Sequence, residues 1–77
     1  MESQKSRPRL AVCVQNTGCD DLVLRKIYQI LPDESAARSS YIRVVDESGE
    51  DYLYPESYFV RIQLPEDVEE AILVAAP

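Results

Sequence analysis

Five tyrosines, Tyr28, Tyr41, Tyr52, Tyr54 and Tyr58, two cysteines, and a run of carboxylates at 46–51 are the residues of this chain best equipped for chemistry. There is no histidine. Without an imidazole to act as a base near neutral pH, neither a Ser-His nor a Cys-His pair can form within the chain. Gly18 and Gly49 are isolated, which suits turns rather than a phosphate-cradling loop. Cys13 and Cys19 supply half of the four Cys or His ligands of a structural zinc site, so one chain cannot build one. Cys13 falls in an apolar alternating run and reads as a small buried hydrophobe. Cys19 follows the turn-forming Asn16-Thr17-Gly18 and is expected to be more exposed, with both thiols reduced.

The carboxylates Asp46, Glu47, Glu50 and Asp51 are the hard oxygen donors that Ca²⁺ takes, but they lack the spacing of an EF-hand loop. They read as a solvated hairpin turn whose charge discourages edge pairing. The chain is therefore expected to be no enzyme, with no catalytic residue, no metal and no cofactor. Binding remains. Tyrosine offers a large, rigid contact area with a polar tip, so a patch of Tyr41, Tyr54, Pro55 and Tyr58 is the candidate partner-binding surface, the partner being another protein or a second copy. The alternative is structural: tyrosine is also an ordinary strand residue that packs its ring at the edge of a sheet.

At 77 residues the chain has room for one domain, and 45% hydrophobic with 29% charged residues is a globular composition. No apolar run approaches the roughly 20 residues of a membrane-spanning helix, and the first nine residues lack the apolar stretch of a signal peptide, so a cytoplasmic setting is expected. Net charge is −6, yet Lys5, Arg7 and Arg9 stand against Glu2 alone at the start, so the body is more acidic than the total. Such a surface repels phosphate backbones and disfavours nucleic acid as a ligand.

Period-two alternation organises what lies between. Residues 9–15 (RLAVCVQ), 24–31, 41–45, 52–54 and 58–64 read as strands. Asp46–Asp51 joins two of them into a hairpin, the polar stretch 33–40 reads as a loop, and Pro65-Glu66-Asp67 opens a helix over about 66–74. The expected core is Leu10, Val12 and Val14; Leu22, Leu24, Ile27 and Ile30; Ile42, Val44 and Leu53; and Val60, Ile62 and Leu64, although the phase around Phe59 and Val60 is ambiguous. These segments predict a mostly β fold, a five-stranded barrel or orthogonal sandwich with a short C-terminal helix.

The stretch YLYPESYFV at 52–60 resembles the end of SH3 domains, where Tyr54, Pro55, Glu56, Ser57 and Tyr58 would form a one-turn 3₁₀ helix before the last strand. DDLVLRKIYQIL at 20–31 is similar to the diverging turn and following strand of those domains, and SYIRVVDESGEDYLYP looks like their central hairpin. The resemblance implies an SH3-like five-stranded barrel of the sort found in small bacterial proteins, with a flexible basic arm at 1–8, the barrel at 9–64, and the helix and tail at 65–77. It implies a fold rather than an activity. Peptide-binding SH3 domains place a Trp at the start of the third strand; this chain has none, and Tyr41 is the nearest stand-in. A polyproline groove needs flat aromatic walls, so that binding mode is weakened. The expected role is a non-enzymatic module for protein–protein contact, the alternative being a small accessory subunit that docks on a larger assembly through its apolar edge or its terminal helix, with Val68, Ile72 and Leu73.

Overall fold

The computed structural model describes residues 8–75; the basic arm expected over 1–8 lies, apart from Pro8, outside the described residues. Five antiparallel strands, β1 (Leu10–Cys13), β2 (Ile27–Leu31), β3 (Tyr41–Val45), β4 (Asp51–Pro55) and β5 (Phe59–Ile62), form one sheet in the order β4-β3-β2-β1-β5. A short helix α1 (Glu34–Arg38) joins β2 to β3, a 3₁₀ turn at Glu56–Tyr58 joins β4 to β5, and helix α2 (Glu66–Ala75) closes the chain. The mostly β class, the five strands and the terminal helix agree with the sequence reading. Barrel closure does not: β4 and β5 are the two edges of an open sheet. These strands are four or five residues long, and Pro55 brings no N–H to the β4 edge. Past Pro55 the 3₁₀ turn carries the chain to β1, so that β5 pairs in the register Leu10↔Ile62 and Val12↔Val60.

Alternation sorts the side chains onto two faces. Ala11, Cys13, Tyr28, Ile30, Ile42, Val44, Tyr54 and Phe59 share the inner face, and with Leu22 from the β1–β2 loop they make the core. Their rings interlock: the Tyr28 and Phe59 centroids are 6.2 Å apart at 87°, and Tyr54 leans on the same Phe59 at 6.2 Å and 58°. The structure resolves the ambiguous phase in favour of Phe59, leaving Val60 on the outer face and 53% exposed. Val14, Leu24, Ile27 and Leu53 are likewise exposed rather than core. In β1 the inner positions belong to Ala11 and Cys13, small side chains that share the core with the three aromatic rings. Leu10 is buried too, but on the outer face, in a hollow that it shares with Ile72 and Leu73 of α2.

Several boundaries move for identifiable reasons. The β2 strand begins at Ile27, not 24, because Arg25 turns through a left-handed φ of 67° and Lys26 N–H bonds back to Val23 O. Residues 33–40, expected as a loop, contain α1. Asp33 caps it, Oδ1 accepting from Ala36 N–H at 2.9 Å, and Ala36 is buried against the sheet. The cap satisfies an end that propensity alone could not hold in so short a helix. Helix α2 is fastened by Glu69, whose carboxylate accepts from the Arg9 backbone N–H at 2.8 Å and from Arg9 Nε at 2.9 Å.

Candidate functional site

Two ends of the sheet concentrate chemistry, and they are built differently. At one end the β3–β4 hairpin loop meets the β1–β2 loop. The Tyr54 hydroxyl, inside the core, donates to Asp46 Oδ2, while Asp46 Oδ1 accepts from the Ser48 N–H at 2.9 Å and the Ser48 hydroxyl at 2.5 Å. The Tyr28 hydroxyl donates to Glu47 Oε2 at 2.7 Å and accepts from the Val23 N–H at 2.8 Å, Lys26 Nζ pairs with the same Glu47 oxygen, and Glu47 N–H donates to Asp21 O at 3.1 Å. Asp46 is only 5% exposed. Desolvation pushes its carboxyl up, but the hydrogen bonds from Ser48 and Tyr54 outweigh burial and hold it below the ordinary Asp range. Both phenols are pushed above the usual tyrosine range, first by burial and then by the carboxylates they serve. The Tyr28 and Tyr54 hydroxyls and the Asp46 and Glu47 carboxylates bind within the molecule, so this end is a latch between two loops.

The opposite end is open. Where β2 finishes and β3 begins, beside α1, lies a groove of about 620 Å³ lined on its apolar side by Ile30, Leu31, Tyr41 and Ile42. The volume lies within the roughly 300–1,000 Å³ of ordinary ligand sites. Arg9, Arg38, Arg43 and Arg61 surround it, against Asp33 and Glu34, so half of the eight cations of an acidic chain line one concave surface. Each arginine arrives from a different element. Arg43 is the most committed, with Nε on Asp33 at 2.8 Å and an NH group on Asp51 at 2.9 Å, and hydrogen bonding to both raises its pKa further. Arg9 is bound to Glu69, and Arg61 makes an exposed pair with Glu56 at 2.9 Å. Arg38, on the last turn of α1, makes no ion pair with a described residue and is exposed.

The four residues expected to make an aromatic patch are not assembled into one surface. Tyr41 and Pro55 face each other across β3 and β4, with Tyr41 43% exposed at the groove. Tyr54, one residue from Pro55, points to the opposite face, is 8% exposed and is occupied by Asp46. Tyr58 is half-buried, its hydroxyl on Thr17 O at 2.9 Å and its ring against the core. Of the four, Tyr41 is the one that lines the groove. The arginines were missed because they lie at 9, 38, 43 and 61, with no spacing to link them; the one available signal was that an acidic chain invests cations sparingly. Among the described residues, no group of three or more Cys, Asp or Glu is arranged to hold a metal ion. Comparison with family models, with curated proteins and with solved structures finds no match for this chain.

Proposed function

We propose that this chain is a non-enzymatic binding module of SH3-like type that holds a segment of another polypeptide in the groove beside Tyr41. One observation carries the reading: a mostly apolar groove ringed by four arginines on a chain of net charge −6. An apolar floor with a few convergent polar groups is the general form of a ligand site. The SH3-like assignment is supported by the 3₁₀ turn at Glu56–Tyr58 immediately before the last strand and by the hairpin at 41–55. The site itself differs from an aromatic polyproline groove, since one tyrosine lines it and cations surround it. A cytoplasmic setting fits two free thiols, and no helix among the described residues is long and apolar enough to cross a membrane.

The test is site-specific photo-crosslinking in the native cell, with a benzophenone amino acid at position 41, 52 or 60. A polypeptide adduct formed from position 41, and lost when Arg38→Glu is added, is the expected result. Equal adducts from all three positions would refute the groove.

A second reading, docking as an accessory subunit, is favoured by a different observation. Ile27, Val12 and Val60 are direct cross-strand partners in β2, β1 and β5, and form an apolar row on the outer face with Ile27 39% and Val60 53% exposed. Val68 of α2 is also exposed. Sedimentation of the purified chain with Val60→Lys as comparison tests the self-docking form of this reading; a monomer for both proteins excludes it.

A further inference from the structure

Resting on the groove reading above, we infer that the segment held there is acidic: a short extended peptide carrying carboxylates on either side of one apolar side chain. The guanidinium is a planar fork that meets a carboxylate with two parallel N–H donors, and it is less strongly hydrated than an ammonium, so arginine is the cation suited to a partly apolar wall. All four groove cations are arginine; the lysine of the described residues, Lys26, sits at the other end, engaged with Glu47. The two arginines most available to a ligand are Arg38, with no described ion-pair partner, and Arg61, whose bond to Glu56 joins side chains 42% and 43% exposed. An exchange of Glu56 for a ligand carboxylate replaces one solvated pair with another and costs little. In the same groove Ile30, Leu31 and Tyr41 offer apolar surface for the intervening side chain.

The rest of the molecule selects against other ligands of the same charge. A nucleic acid long enough to extend past the groove meets the exposed carboxylates of Glu50 and Asp51 and those of Glu66 and Asp67 at the start of α2, where it finds no cation to displace its counterions. A basic peptide meets Arg38, which has no described carboxylate partner to offset it, and a purely proline-rich one finds a single aromatic wall. A short acidic segment ends before the repulsive surface begins. Its association is steered by the local field and weakens with salt.

Peptide display from a randomised library, selected on the full-length chain, is the experiment. The consensus peptide is then titrated into isotope-labelled protein and followed by NMR. The expected result is enrichment of Asp and Glu flanking one apolar residue, shifts centred on Ala37, Arg38, Tyr41 and Arg61, and affinity falling tenfold or more in Arg38→Glu or Arg61→Glu but unchanged in Arg25→Glu. Arg38 is exposed, so its variant is expected to keep the wild-type spectrum; Arg38→Gln serves as a milder second variant. A non-acidic consensus that still maps to the groove overturns this inference and leaves the groove reading standing. No enrichment, or shifts elsewhere, overturns both. Displacement of the peptide by poly-uridylate or by millimolar inorganic phosphate would show that the site reads phosphate, and overturns the inference as well.

Discussion

The two ends of this sheet handle charge in opposite ways. At the hairpin end, carboxylates are partnered within the molecule: Asp46 is buried and Glu47 lies at the surface, each bound to the hydroxyl of a core tyrosine. At the groove end, arginines stand around a concave apolar surface with at least one of them, Arg38, left to solvent. Charge that is fully partnered lowers the energy of one conformation, whereas charge held beside an apolar hollow is available to a ligand. Stability should therefore concentrate at the first end and recognition at the second.

The sharpest way to break this contrast is at its hinge. Phe59 touches both Tyr28 and Tyr54, so Phe59→Ala should cost about 3–5 kcal/mol in chemical denaturation, enough to unfold a small domain. Tyr54→Phe keeps the ring and removes the bond to buried Asp46, with an expected loss of about 1–3 kcal/mol. A smaller effect is expected at the loop tip. Gly49 has φ +84° and a Cβ added there would meet nothing within 4 Å, so Gly49→Ala adds left-handed strain without a clash and should cost about 1–2 kcal/mol by the same measurement. The smallest effect belongs to the other end: Arg38→Glu should change stability by about 0.5 kcal/mol or less, while abolishing peptide capture. Should Arg38→Glu destabilise as much as Tyr54→Phe, the division between the two ends is wrong.

Acid sharpens the same comparison. Asp46 and Glu47 are held below their ordinary values of 3.8 and 4.5, Asp46 by hydrogen bonds that overcome burial and Glu47 by Lys26 and Tyr28. Groups whose pKa falls on folding bind protons more readily when unfolded, so their stabilisation is present above the ordinary values and is lost as pH drops through the lower folded ones. Denaturation midpoints should be flat at neutral pH and fall below about pH 4.5. Asp33 and Glu69 are depressed in the same direction, Asp33 by the Ala36 N–H and Arg43, Glu69 by the Arg9 N–H. Asp46→Asn should flatten the acid limb; a slope equal to wild type would remove Asp46 from the account.

Much of the architecture was written locally. The alternation at 41–45 and the turn chemistry around Gly49 specified the hairpin, and Pro65 with the acids after it specified the start of α2, because these depend on backbone preferences within a few residues. The short helix at 34–38 escaped because Asp33 reads as a loop residue until its carboxylate is seen capping Ala36. The phase of β1 and β5 escaped for a different reason. Both faces of these strands carry apolar side chains, so a period of two marks a strand without saying which side is in.

The residue pattern by itself thus determined the class of fold, the number of strands and the order in which they follow one another, all of which arise from short-range sterics and periodic hydrophobicity. Tertiary structure alone decided which face became the core, that Tyr54 and Tyr41 serve opposite sides of the sheet, and that four scattered arginines share one groove. Those outcomes depend on how separate segments fit together in space, where Phe59, Tyr28 and Tyr54 share the core with Ala11 and Cys13 of β1. Proximity across a sheet has no trace in linear spacing until the strands have chosen their partners.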